Sequence, residues 1–274
     1  MKSVYRKCGI HIAAVIIMVL PMVLVAAEPD LPPESPMWQK LRVALFQDRA
    51  ISDDGDRLIR LSAPKRAQDA AVVPVSINAQ ITQAPERYIK TIHLIVDDNP
   101  APLAAVFHLT PASGLADIET RIRVEQYTYV RAIVETSDGE LAMAKAYVKA
   151  SGGCSAPANR APGEGDDLGR MKLMTQDQPK LNQPVMAQLM IRHPNASGMV
   201  MDQATRMYAP PHYVRRLEVS YAGEPVMTAD VDFGISENPN FRFYFTPHAS
   251  GTLTARAEDS NDLVFDASLQ VLPE

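Results

Sequence analysis

The sequence predicts an all-β chain of two β-sandwich modules in series, with one short helix before the first. Three observations lead there. The chain holds 22 prolines and 13 glycines, a proline load that helical proteins of this size rarely carry. Short runs of alternating apolar residues recur at intervals of about 8–12 residues, the pattern of a sandwich. That pattern is interrupted once, from Ala150 to about Gly169, by a segment with almost no large apolar side chains. A length of 274 residues suits one or two domains of about 100–150 residues each.

The first residues read as a targeting segment. Lys2, Arg6 and Lys7 give a basic start, and an apolar run from Ile10 to Val25 follows. Val25-Ala26-Ala27 then offers small residues before Glu28, where a signal peptidase cuts. Residues 1–27 are therefore expected to be a cleaved signal peptide, and the mature protein to be soluble in the periplasm. A retained anchor is the rival, since the run is near the minimum spanning length of about 17 residues; Pro21 and the small-residue site favour cleavage. Cys8 leaves with the signal. Cys154 then stands as the single cysteine of an exported protein, with no intramolecular disulfide open to it.

The first module is expected over residues 28–149. Ser35 and Pro36 fit an N-cap and first helical position, and Trp38, Leu41, Leu45 and Phe46 have helical spacing, predicting a helix from Pro36 to Asp48. Alternation then takes over at Leu58, Leu61, Val73, Val75 and Ile77. Strands follow at Thr91–Val96, Leu103–Leu109, Asp117–Val124, Tyr127–Glu135 and Leu141–Val148. Asp97-Asp98-Asn99-Pro100 and Ser137-Asp138-Gly139 mark turns. The second module, residues 170–274, repeats the pattern with strands around Lys172–Met174, Val185–Arg192, Val214–Tyr221, Glu224–Met227, Arg242–Phe245, Thr252–Glu258 and Leu263–Val271. Short echoes link the halves: Asp98-Asn99-Pro100 with Glu237-Asn238-Pro239, and Glu135-Thr136-Ser137-Asp138 with Glu258-Asp259-Ser260-Asn261. They suggest a duplication.

Between the modules, residues 150–169 read as a flexible linker, too poor in apolar groups to offset its ordering entropy. Cys154 lies in it, after Gly152 and Gly153, which are expected to give the arm its flexibility. A free thiol is mostly protonated at neutral pH. Nothing beside Cys154 in sequence activates it, for the nearest cations are Lys149 and Arg160. This suits a covalent carrier activated in a partner's active site rather than a cysteine enzyme with its own base. An incidental unpaired cysteine is the competing reading.

Other chemistry is weaker. A net charge of −5, with no basic run interleaved with aromatics, excludes a nucleic-acid face. His193, Met199, Met201, Met207 and His212 raise a copper question, but their spacing repeats no ligand motif, and Met199 and Met201 alternate as a strand's inner face would. His93 and His108 read as strand histidines. Asp97-Asp98 and Asp166-Asp167 read as solvated turn and linker carboxylates. The run Phe241, Phe243, Tyr244, Phe245 reads as a core strand, with an inter-module contact as the alternative. No phosphate loop, G-x-S-x-G, H-E-x-x-H or C-x-x-C is present. No catalytic residue, metal or cofactor is expected.

The motifs resemble a known family. Pro74-Val75, Asn99-Pro100-Ala101-Pro102, Thr120-Arg121-Ile122-Arg123, Ser137-Asp138-Gly139 and Gly152-Gly153-Cys154 are similar to the Y-type subunit of the bacterial thiosulfate-oxidising Sox sulfur carrier. His193-Pro194 with Ser197-Gly198, Val219-Ser220-Tyr221-Ala222-Gly223, Ile235-Ser236-Glu237-Asn238-Pro239 and Gly251-Thr252-Leu253 are similar to the Z-type. The order resembles the SoxYZ-like fusions associated with quinoprotein dehydrogenases. The resemblance implies two immunoglobulin-like sandwiches packed together. It also implies sulfur intermediates such as a persulfide or S-thiosulfonate held on Cys154, and periplasmic redox enzymes, of the Sox type or a quinoprotein dehydrogenase system, as partners. One departure stands out: Ser155-Ala156 replaces the family's last two glycines, and the chain runs on into the second module instead of ending. The alternative function is a non-catalytic docking or assembly module for a periplasmic quinoprotein dehydrogenase with an incidental cysteine. A redox enzyme or copper-delivery protein is the third.

Overall fold

The computed structural model describes Met1 and residues 32–157, 167–201 and 205–274. The expected signal peptide, Cys8 and residues 158–166 of the expected linker lie outside the described residues, Met1 excepted. Residues 33–274 form one compact unit, and among the described residues no helix is long and apolar enough to cross a membrane.

The first element among the described residues is α1 (Pro36–Phe46). Ser35 caps it as its sequence position requires, the hydroxyl accepting from Met37 N at 3.1 Å and donating to Asp98 at 2.6 Å. The helix ends two residues earlier than the periodicity suggests, because Gln47 turns into the left-handed region at φ 54°. Trp38 and Phe46 are buried against Ile95, Ile133, Leu141 and Met143 in a small second core, anchoring the helix by about 3–5 kcal/mol. Leu45 stays exposed.

Seven strands follow in the first half: β1 (Ile59–Ser62), β2 (Val73–Ala79), β3 (Ile89–Val96), β4 (Leu103–Leu109), β5 (Ile118–Ile122), β6 (Thr128–Thr136) and β7 (Leu141–Val148). Seven more make the second half: β8 (Met171–Thr175), β9 (Val185–Ile191), β10 (Val214–Tyr221), β11 (Glu224–Val231), β12 (Asn240–Phe245), β13 (Gly251–Asp259) and β14 (Val264–Val271). Each half is a sandwich of three strands over four. The three-strand faces run β1-β2-β5 and β8-β9-β12; the four-strand faces run β4-β3-β6-β7 and β11-β10-β13-β14. The same order in both halves gives the suggested duplication a topological basis.

The two sandwiches are joined through their sheets. β4 pairs antiparallel with β11 from Leu109↔Met227 to Ala105↔Val231, and β5 meets β12 at Glu119↔Arg242. The strand order reverses across both seams, as a two-fold relation between the halves requires. Four sheet edges are thereby paired, which removes unsatisfied backbone groups. One apolar core runs through both halves. The β12 aromatics serve both purposes weighed for them: Phe241, Phe243 and Phe245 are buried, and Phe241 meets Phe107 of β4 edge-on at 6.1 Å.

Two local expectations are corrected. Asp97 is fully buried, not solvated. Its carboxylate accepts from Arg131 Nε at 2.8 Å and Nη2 at 2.8 Å, while Arg131, itself buried, also bonds Glu34 and lies 4.4 Å from the Trp38 ring. Methionines 199 and 201 belong to no strand: this stretch makes isolated bridges, Ala196↔His212 and Met201↔Tyr208, and Met201 is exposed. Pro194, Pro210 and Pro211 lack the N–H groups that a continuous ladder needs.

Candidate functional site: a docked cysteine

The segment after β7 does not stand away from the body. Gly152 N donates to Glu125 O at 2.8 Å and Gly153 N to Val124 O at 3.0 Å, so the arm lies along the strand-like stretch beyond β5. The two glycines are used for shape. Gly152 adopts φ +81°, which disfavours a side chain. A Cβ on Gly153 would sit 2.1 Å from Ala70 O and 2.7 Å from Val124 N, so only glycine fits the approach. The flexible arm expected from Gly152 and Gly153 is thus, in this structure, a tightly seated turn.

Cys154 at its tip is fully buried. Glu125 holds it there: one carboxylate oxygen accepts from Cys154 N at 2.8 Å and Ser155 N at 3.2 Å, the other from Ser155 Oγ at 3.0 Å. Ser155, the departure from a glycine-only arm, therefore fastens it. The second module closes the other side, Ser197 Oγ donating to Cys154 O. Arg123, 2% exposed, donates from Nη1 to Gly153 O at 3.0 Å and from Nη2 to Asn195 O at 3.3 Å.

Asn99 sets up this arrangement from beneath. Its side-chain amide donates to Arg123 O at 2.8 Å and accepts from Glu125 N at 2.9 Å, clamping the backbone on both sides of Val124. The turn signal Asp97-Asp98-Asn99-Pro100 thus carries a positioning residue that its turn chemistry alone does not announce. Asn195 does similar work in the second half, donating to Ile235 O and accepting from Val214 N, each at 3.0 Å.

Electrostatically the docked thiol is quiet. Burial pushes its pKa up to about 12; Glu125 adds to the rise, Arg123 opposes it and Asp232 adds a little more. The thiolate is the nucleophile, so docked Cys154 is inert at neutral pH. Among the described residues no side chain accepts a hydrogen bond from its sulfur.

The one metal-like grouping among the described residues is His193, His212 and Asp259. Sequence pointed to the two histidines but paired them with methionines; Asp259 is what joins them, at 3.4 Å and 2.7 Å from their Nε2 atoms. His193 Nδ1 accepts from Asn195 N at 3.1 Å, which leaves the proton of the neutral ring on Nε2, facing Asp259. Burial, then the neighbouring His212 charge, lowers the His193 pKa to about 4. A ring so oriented offers Asp259 a donor and a cation no lone pair. The group reads as a satisfied buried carboxylate fixing the loop that carries Ser197.

Comparisons with known proteins bear on this site. Residues 42–154 match the family model of sulfur oxidation protein SoxY, the match ending on Cys154, and residues 171–270 that of sulphur oxidation protein SoxZ. No curated protein matches the chain. Among solved structures, the sulfur carrier protein SoxY from Chlorobium limicola f thiosulfatophilum is 23% identical, covering 42% of this chain and 91% of its own, with a TM-score of 0.35. The superoxide reductase (neelaredoxin) from Ignicoccus hospitalis is 21% identical over 46% of this chain and 100% of its own, at 0.30. The fibronectin(III)-like modules of Clostridium thermocellum CbhA are 9% identical over 78% of this chain and 94% of theirs, at 0.23. With a SoxY domain that ends on its buried cysteine and a SoxZ domain that helps to bury it, the chain belongs to the SoxYZ-like sulfur-oxidation carriers, the two domains fused in one polypeptide.

Proposed function

We propose that this protein is a periplasmic carrier that holds a sulfur intermediate covalently on Cys154 and presents it to enzymes of sulfur oxidation. The observation that carries the reading is the contrast around Cys154. Its thiol is buried and unactivated, yet the tip bearing it is fastened by a few hydrogen bonds, three of them to the carboxylate of the half-buried Glu125. Such a latch releases more easily than a core strand. Undocked, the thiol regains an ordinary pKa and enters a partner's active site; docked, its cargo is kept from water and stray thiols. The partners are Sox-type enzymes, and the fused order adds a quinoprotein dehydrogenase system as the client. No step of the chemistry is assigned to this chain's own side chains.

Burial of Cys154 also favours a second reading, a docking module whose cysteine is incidental. Two measurements separate them. The intact mass of the mature protein, isolated from its native compartment without reductant, shows a reductant-labile sulfur adduct on Cys154 if the chain is a carrier. Complementation with Cys154→Ser then fails; full activity with that variant supports the docking module instead.

A further inference from the structure

Arg123 is the least satisfied charge in the dock. Its guanidinium is 2% exposed and pairs with no carboxylate among the described residues. Two of its nitrogens reach the carbonyls of Gly153 and Asn195; its Nε is buried with no hydrogen-bond partner. A buried cation without a counter-ion is costly, and a buried donor without an acceptor adds to the cost. The natural core solution, an adjacent Asp or Glu, exists in this protein at Arg131 with Asp97 and is absent here. What acts most strongly on the guanidinium is a negative charge at Cys154; the carboxylates of Glu237 and Asp69 act on it as well, but less.

The anions that oppose it are engaged or weakened. Both oxygens of Glu125 are taken by Cys154 N, Ser155 N and Ser155 Oγ, and its half-exposed position lets solvent screen it. Burial pushes the Asp232 carboxyl up toward its neutral form. At the bare sulfur Glu125 acts more strongly than Arg123, but of these groups Arg123 alone brings a positive charge and an unbonded buried donor, its Nε, to an anion placed there.

We propose that Arg123 is a positioning residue for cargo: it holds the negative end of a group carried on Cys154, so that the dock retains anionic sulfur adducts in preference to neutral ones. This deepens the carrier reading and rests on it. An S-thiosulfonate or a persulfide anion supplies the missing counter-charge. A neutral adduct leaves Arg123 as unpaired as the bare thiol does.

The test loads Cys154 chemically. Tetrathionate attacked by the thiolate gives Cys154–S–S–SO3⁻ and releases thiosulfate; methyl methanethiosulfonate gives Cys154–S–S–CH3 and releases methanesulfinate. Removal of each adduct by dithiothreitol, a neutral reductant, is followed by intact mass on the full chain and on a free peptide of residues 151–157 carrying the same group. The protection of chain over peptide is expected to be at least tenfold greater for the thiosulfonate than for the methyl disulfide. In Arg123→Gln that excess disappears while protection of the methyl adduct changes by less than twofold; Arg123→Lys retains most of it. Equal protection of the two adducts in the unsubstituted chain overturns the proposal, whether or not Arg123→Gln folds, as does a variant that loses protection of both alike. Failure of the carrier reading shows elsewhere, as an unmodified Cys154 in native protein.

Discussion

Glu125 is the side chain on which docking of Cys154 turns, and its removal has a calculable effect. Glu125→Ala deletes the acceptor of three hydrogen bonds, from Cys154 N, Ser155 N and Ser155 Oγ. Hydrogen bonds to a charged group are worth about 1.5–3 kcal/mol each when buried. This carboxylate is half-exposed, and the freed N–H groups rehydrate once the arm leaves, so the net loss for all three is closer to about 2 kcal/mol in total. That multiplies the undocked population about 30-fold. Cys154 reacts only when undocked, so alkylation by iodoacetamide at pH 8 is expected to accelerate about 30-fold in Glu125→Ala and by a smaller factor in Glu125→Gln, which keeps one acceptor oxygen. Circular dichroism and the unfolding midpoint, set by the shared core, stay unchanged. An alkylation rate that does not move on Glu125→Ala refutes the latch; a native rate already equal to that of a free cysteine peptide refutes the dock altogether.

Three further outcomes follow from the same geometry. Gly153→Ala places a methyl 2.1 Å from Ala70 O and is expected to leave Cys154 alkylating within a few-fold of a free peptide, with the fold intact by circular dichroism. Docking raises the thiol pKa to about 12, so docking is fully favoured below the ordinary thiol value and is lost as pH climbs from there towards 12; the alkylation rate should keep rising about tenfold per pH unit beyond pH 9, where a plateau would show an ordinary, exposed thiol. Asp97→Ala removes the main partner of a fully buried Arg131 and should cost about 3 kcal/mol in urea unfolding, at the low end for a broken buried pair because Glu34 remains; a loss under about 1 kcal/mol shows that Arg131 is re-solvated.

How much of this was legible depends on where the information sits. β4, β7 and β10 match their sequence readings residue for residue, because a short apolar or alternating run bounded by turn residues is a local signal of a strand. The docked arm has no such record. Gly-Gly serves both a free hinge and a close approach, and Ala70 O, which decides between them, comes from a loop more than 80 residues earlier. Asp97 read as a turn carboxylate because Arg131 is 34 residues away. Glu125 and Asn99 carry no motif of their own; Arg123 was visible within Thr120-Arg121-Ile122-Arg123, though without a role. The β4–β11 seam is likewise silent in sequence, since pairing of two edge strands uses backbone groups that every residue has. The echoes between the halves hinted at a two-fold relation, and the aromatic run at Phe241, Phe243, Tyr244 and Phe245 at a contact between the modules.

Joining the arm to the second module looks like a restriction on its travel, yet the geometry says otherwise. On the N-terminal side the arm is pinned at Lys149, whose backbone donates to Lys65 O at 3.0 Å and accepts from Ala67 N at 3.3 Å. Cys154 lies five positions after Lys149, a span of at most about 17 Å when extended. On the C-terminal side the next backbone anchor among the described residues is Gly169, fifteen positions on, donating to Arg192 O at 2.7 Å, and fifteen Cα steps allow about 50 Å. The shorter side sets the reach, so a free tail ending just past Cys154 would travel no farther. The tether's remaining cost is loop-closure entropy, which grows only logarithmically with length. A protease site placed within residues 158–166 and cut after folding should therefore leave the alkylation rate of Cys154 within about twofold, and the halves should stay together through β4–β11 and the common core. A cut chain whose Cys154 reacts tenfold faster would mean that the covalent link itself holds the arm down. The latch would then be the fusion rather than Glu125.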